Sequence, residues 1–275
     1  MPSVRAESSP PLAEPSVSWS VGTVWQYIRQ ITSLWSFFLT GLIVSPICML
    51  LAVLGGWLIP PAFGQKLIAW LFSHWLRFSQ AIGVFEIDFP EIEKLAELRG
   101  VIVTANHPSL VDAVLILAVM PRAVCIMRAG LMKSPFLGGA ARLAGYIAND
   151  GGPDLIRGGV SKLKDGENLL IFPEGTRTQK GPVNTFKKGF ALIATRSAAP
   201  IQTLFIEREG VYLAKGTPLM APSALPLRFR VRFGERIYPM ATETPHQLAA
   251  RLEEYFRIRL ENTGRDIRLT TPPKN

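Results

Sequence analysis

Only two cysteines occur among the 275 residues, Cys48 and Cys125, each alone in an apolar stretch. That excludes a disulfide framework and the paired-cysteine spacing of a structural metal site, so both thiols read as small buried hydrophobes. Histidine is nearly as scarce. Of the three, His74 sits among aromatics at an apolar–polar boundary and His246 opens a polar helical stretch, and neither has a companion that suggests chemistry. No Gly-x-Ser-x-Gly elbow is present, so an acyl-enzyme on serine is not indicated, and no internal repeat is visible. Charge is missing too: no Asp, Glu, Lys or Arg falls between Arg29 and Lys66.

That uncharged run exceeds the roughly 20 residues needed to cross a bilayer. It begins only after a Pro/Ser-rich start and is longer than a signal-peptide core, so no cleaved signal is expected. Pro46 and Gly55-Gly56 interrupt it, which leaves a kinked span and a re-entrant hairpin both open. The next stretch, residues 67–84, mixes Trp70, Phe72, Trp75 and Phe78 with His74 and Arg77, and Lys66 precedes it. Such mixtures suit the headgroup region. The flanking cations are too balanced to orient a single span, whereas a hairpin returning to one face would put both flanks in the cytoplasm.

A net charge of +9 accompanies this 48% hydrophobic chain. Nucleic acid is one partner that basic patches can mark, but no nucleic-acid motif is present and the cations are dispersed. Anionic lipid headgroups account for them better, at about 1 kcal/mol per cation near the surface.

From Phe85 onward, short β-type runs at residues 101–104, 123–127, 169–172, 201–205 and 228–233 alternate with helical patterns at 110–119, 153–164, 190–197 and 245–260. Alternation of this kind predicts an α/β domain, a largely parallel sheet flanked by helices. The expected organisation is a disordered tail over 1–20, a hydrophobic helical membrane-anchoring unit over 21–84, the α/β domain over 85–262 and a tail over 263–275.

Two blocks carry the chemistry. The first reads Ala105-Asn106-His107-Pro108-Ser109-Leu110-Val111-Asp112, and the second Ile171-Phe172-Pro173-Glu174-Gly175-Thr176-Arg177. Each follows a β-type run, and loops at the carboxyl ends of parallel strands converge on the ligand crevice. Pro108 suits a first helical turn, which would set His107 at the helix mouth with Asp112 a little over one turn along. Asp112 can then hold one ring nitrogen and leave the other as a base toward a hydroxyl.

At these residues the chain resembles the membrane-bound glycerophospholipid acyltransferases, the 1-acylglycerol-3-phosphate acyltransferase family. Asn106, His107 and Asp112 match the family's Asn-His-x-x-x-x-Asp block, whose His is the base and whose Asp supports it. A second block appears as Arg128, Pro135, Gly138 and Gly145, with Arg128 where Lys is common and Gly151 where an Arg usually closes the block. The third, Phe172 to Arg177, is intact, and the resemblance implies that Glu174, Gly175, Thr176 and Arg177, with Arg128 in support, bind the phosphorylated acceptor. The fourth keeps Pro200 and has Thr203 in place of a second Pro. Lys187 and Lys188 resemble a basic stretch common in the family, and the membrane or an acidic carrier protein is what they are expected to face.

The resemblance implies an O-acyltransferase moving a fatty acyl group from acyl-CoA or acyl carrier protein to a lysoglycerophospholipid hydroxyl. It implies no metal and no cofactor beyond that co-substrate, and a catalytic domain on the cytoplasmic face of the membrane. Main-chain N–H groups near the helix start are the expected oxyanion donors. The departures at 128, 151 and 203 keep a different acceptor open, such as another lysophospholipid or an amino-acid lipid. A lipid- or carrier-binding membrane protein without catalysis is the alternative of another class.

Overall fold

The computed structural model describes residues 20–55, 58–179, 181–210 and 212–270, and for 263–270 the backbone alone. The expected N-terminal tail lies outside these residues except Ser20, whose Oγ accepts from the N–H of Thr23 and caps the first helix. That helix, α1 (Val21–Leu54), passes through Pro46 without ending. At 1.5 Å per residue its 34 residues extend about 51 Å. After a turn, α2 (Pro61–Ala81) returns along the domain.

α1 is the one helix among the described residues long and apolar enough to cross a membrane, with a mean hydropathy of 2.5 over a window that is 11% buried. Trp35, Leu39, Leu42, Ile43, Ile47, Leu50 and Val53 lie exposed along it. Its inner side is held by small residues. Ser45 Oγ accepts from the N–H of Gly139 at 2.9 Å, and a Cβ on Gly139 would run into the Ser45 carbonyl. A Cβ on Gly41 would likewise lie 2.6 Å from the Phe136 carbonyl oxygen. The stretch that carries the second sequence block therefore docks the apolar helix: Gly139 within it and Gly41 on α1 let two backbones touch.

β1 (Phe85–Asp88), α3 (Ile92–Glu97), β2 (Ile102–Ala105), α4 (Val111–Leu117), β3 (Ala123–Arg128), α5 (Ala129–Met132), α6 (Gly138–Leu143), β4 (Ile147–Asn149), α7 (Pro153–Lys164), β5 (Asn168–Ile171), α8 (Gly189–Ser197), β6 (Ile201–Arg208), β7 (Leu227–Ile237) and α9 (Pro245–Thr270) complete the chain. The seven strands form one sheet in the order β1-β7-β6-β2-β5-β3-β4. β2 to β6 run parallel, while β7 is antiparallel to β6 and carries β1 beside it. The largely parallel sheet flanked by helices agrees with the sequence pattern.

Central and outer strands differ as covered and half-covered strands should. Every residue of β2 and β5 is buried, whereas β7 buries Leu227, Phe229 and Val231 and exposes Arg228, Arg230 and Arg232 between them. Two apolar clusters fill the faces. Leu76, Leu95, Val111, Leu115, Leu204 and Ile206 pack under α2, α3 and α4. Leu155, Ile193, Leu248, Leu252 and Phe256 pack under α7, α8 and α9. Burying one such side chain contributes about 1.5–3 kcal/mol. α9 runs past residue 263, where the sequence reading places a tail, as far as Thr270. Cys48 and Cys125 are buried, as their surroundings suggest.

Candidate active site

β2 and β5 are neighbours at the centre of the sheet, so the turns after them meet. Asn106 fixes the first turn: its amide donates to the Ile206 carbonyl and accepts from the Ile206 N–H, both at 2.8 Å, clipping β2 to β6. His107 follows, and its Nδ1 lies 2.8 Å from Asp112 Oδ2, with the ring 15% exposed and the carboxylate 0%. Nε2 has no hydrogen bond among the described residues. The His107 ring stacks on Phe172, centroids 4.0 Å apart. One ring edge thus faces the anion and the other is open, an arrangement suited to a base.

Pro108 lies in the turn ahead of α4, not in its first turn, and the helix starts at Val111. The reason is local capping: the Ser109 N–H donates to Asp112 Oδ2 at 2.7 Å and the Val111 N–H donates to Ser109 Oγ at 3.3 Å. The Leu110 N–H donates to the Leu213 carbonyl. These commitments occupy the N–H groups of 109, 110 and 111 within the protein, so an oxyanion at the helix start would have to use N–H groups further into the first turn.

The second turn is built around Glu174, which is 1% exposed. Its Oε1 accepts from the His107 N–H at 3.0 Å and the Thr178 hydroxyl at 2.7 Å, and its Oε2 accepts from the Asn184 N–H at 2.8 Å. Burial raises its pKa, and these three donors oppose the rise. Glu174 therefore positions the main chain under His107, where an acceptor-facing carboxylate was expected. Gly175 turns the chain at φ +67°, a conformation that favours glycine. Thr176 is half-buried, and its side chain makes no hydrogen bond to the described residues.

Arg177 Nη1 donates to the carbonyls of Leu213 at 2.7 Å and Ala214 at 2.9 Å, pinning the segment after β6. Its Nε and Nη2 make no hydrogen bond to the described residues. Desolvation lowers its pKa, and the Asp112 charge opposes that shift. Arg128 is exposed at the end of β3, beyond β5 from the His107 turn, and has no polar contact with His107, Asp112, Glu174 or Arg177. The structure thus joins His107, Asp112, Glu174 and Arg177 and leaves Arg128 on the same sheet edge but outside their contacts.

Residues 86–207 match the acyltransferase family model. Over these residues the α/β domain is similar to the acyltransferase family. Its curated relatives include a 1-acyl-sn-glycerol-3-phosphate acyltransferase of Helicobacter pylori, 33% identical over 131 residues that cover 44% of this chain and 55% of that protein. A Cocos nucifera protein of the same name is 29% identical over 45% of this chain and 42% of its own length. The chain thus spans about half the length of the curated relatives it matches. In fold it is similar to the crystal structure of the 1-acyl-sn-glycerophosphate (LPA) acyltransferase PlsC from Thermotoga maritima. That likeness has a TM-score of 0.65 at 21% identity and covers 90% of this chain and 100% of that one.

Within this domain two departures from the family pattern have a structural reading. Thr203, in place of a Pro, donates its hydroxyl to the Glu235 carbonyl at 2.8 Å beside a register shift between β6 and β7. It serves strand pairing there, not a pocket wall. Gly151 adopts φ +75° with open space around it, so an Arg there would carry backbone strain. Sequence reasoning missed Phe172 as the stacking partner, Thr178 and Asn184 as donors to Glu174, and the segment from Tyr212 to Ala214. Phe172 alone had a signal, its place one residue after a strand that ends beside His107.

Proposed function

We propose that this chain is a membrane-bound O-acyltransferase that moves a fatty acyl group from acyl-CoA or acyl carrier protein to a hydroxyl of a lysoglycerophospholipid such as 1-acylglycerol-3-phosphate. The observation that carries the reading is the 2.8 Å contact between His107 Nδ1 and buried Asp112, with Nε2 unbonded among the described residues. Nε2 takes the hydroxyl proton of the acceptor as that oxygen bonds to the thioester carbonyl carbon. The tetrahedral intermediate then expels the thiolate, which receives the proton from the imidazolium. Asp112 stabilises the imidazolium in between, and no covalent enzyme intermediate is needed.

Arg177 holds the acceptor phosphate through its free Nε and Nη2 edge, since a planar guanidinium makes paired bonds to such oxygens. The same residue orders the Leu213 and Ala214 carbonyls through Nη1. The exposed apolar side of α1 enters the lipid, and the exposed cations, Lys187 and Lys188 among them, face anionic headgroups or an acidic carrier. The catalytic domain lies on the cytoplasmic side.

Purified full-length protein assayed with acyl-CoA and acyl carrier protein donors against lysophosphatidate, other lysophospholipids and amino-acid lipids tests the proposal. Transfer to lysophosphatidate with either donor is the expected result. Turnover of a different lipid alone would keep the chemistry and replace the acceptor, and no transfer to any of them would sink the reading.

A further inference from the structure

We propose that Arg208, at the end of β6, is a positioning residue whose guanidinium keeps Asp112 an anion and so keeps His107 in its base-competent orientation. The proposal rests on the acyltransfer reading and adds a residue that lies outside all four sequence blocks. β6 runs beside β2, and Asn106 ties the two strands together at Ile206. Leu204 and Ile206 point into the apolar cluster beneath α4. Side chains alternate along a strand, so Arg208 projects on that same face, where Asp112 is buried.

The polar atoms around Asp112 are incompletely matched. Oδ2 receives the His107 ring and the Ser109 N–H, whereas Oδ1 is buried with no partner among the described residues. Arg208 Nε is buried and unpartnered too, while its Nη1 donates to the Gly210 carbonyl and anchors the side chain. An unpaired acceptor and an unpaired donor thus occupy one face of the sheet, and a buried carboxylate lacking a counter-charge is costly.

Electrostatics agree with this placement. Desolvation drives the Asp112 pKa up, and His107, the Ser109 N–H and the Arg208 charge each draw it back. Arg208 is shifted down by its own burial, and Asp112 opposes that shift. The other groups near Asp112 are Arg177 from the turn after β5, whose charge it feels, and Tyr212, whose carbonyl accepts from Ser109 Oγ. Glu174 meets the main chain of His107. α2 packs against α4, but its titratable groups Lys66, His74 and Arg77 are on its exposed side.

Steady-state kinetics of the full-length protein in detergent, across the neutral pH range, decide the role. Arg208→Gln is expected to lower kcat about 10-fold, a fraction of what a general base contributes, with little change in acceptor KM. The acidic limb of kcat/KM should move to higher pH, because removing a neighbouring cation lets the His107–Asp112 pair bind its proton more tightly. Arg208→Lys should return the limb to its original place. A raised acceptor KM with an unmoved limb would make Arg208 an acceptor-binding residue and overturn the proposal.

Arg208→Met, which keeps the stem's packing, serves as a second variant with the same expectation. NMR titration of the His107 ring, assigned by its loss in His107→Gln, reads the pair without turnover. An unchanged ring titration in both Arg208→Gln and Arg208→Met overturns the proposal. Absence of turnover in the parent protein would instead fault the acyltransfer reading, and the ring titration would still decide Arg208.

Discussion

The turn after β2 and the turn after β5 hold each other by two hydrogen bonds, from the His107 N–H to Glu174 Oε1 and from the Thr178 N–H to the His107 carbonyl at 2.7 Å. Their exposures are opposite. His107 presents a ring 15% exposed with a free nitrogen, whereas Glu174 is 1% exposed and both its oxygens are occupied. Two polar motif residues at one sheet edge therefore have different work: one offers an atom to a substrate, and the other fixes the main chain beneath it. A buried carboxylate with three donors is a rigid support because releasing any donor leaves an unsatisfied group.

The sharpest break in that contrast is His107→Ala. It removes the reacting nitrogen, so transfer should fall by about 10²–10⁴, and the loss of the ring partner of buried Asp112 should lower the melting temperature without unfolding the protein. Turnover above about a tenth of the parent's would exclude His107 as the base. Asp112→Asn should come close to this loss, since an amide cannot select the same ring tautomer.

Glu174→Gln should act on both quantities. The amide keeps one acceptor oxygen but turns an NH₂ toward a donor, leaving an unmet N–H that costs about 1–3 kcal/mol. A lower melting temperature together with reduced kcat is expected, measured by thermal unfolding and by initial rates. A variant with normal stability and only a raised acceptor KM would return Glu174 to the acceptor-facing role.

Arg177→Ala tests the guanidinium that belongs to both functions. Loss of a charged hydrogen bond of about 1.5–3 kcal/mol corresponds to roughly 10- to 150-fold in kcat/KM. That loss should be larger for lysophosphatidate than for its dephosphorylated counterpart if the Nε and Nη2 edge holds phosphate. An equal penalty on both acceptors would leave Arg177 only the ordering of Leu213 and Ala214.

What was legible in the sequence followed periodicity and residue chemistry. β2 and β5 read as mostly apolar β-type runs, α7 starts at a Pro and ends in lysines, and the His107–Asp112 spacing drew its meaning from the Glu174–Arg177 turn that accompanies it. α5, α6 and β4 were not legible, because elements of four, six and three residues carry too little pattern. Nor was the use of Glu174, whose partners are two main-chain N–H groups and one hydroxyl. Main-chain donors leave no trace in residue identity. The glycines of the second block carried no structural signal in the sequence, and in the fold Gly139 beside them admits α1.

The smallest effect is expected at Gly151, where the family pattern has an Arg. The position is on the loop after β4, three strands from β2, or about 14 Å across the sheet at the usual interstrand spacing. At φ +75° an L side chain costs about 1–2 kcal/mol, so Gly151→Arg should lower the melting temperature slightly. The guanidinium would stand in open space, and an exposed charge contributes about 0–1 kcal/mol. The preference for lysophosphatidate over a zwitterionic lysophospholipid should therefore rise less than about fivefold, within that same range. Competition assays with both acceptors in one reaction measure it directly. A larger rise would mean that the acceptor reaches as far as β4, and that the missing cation had widened the range of acceptors.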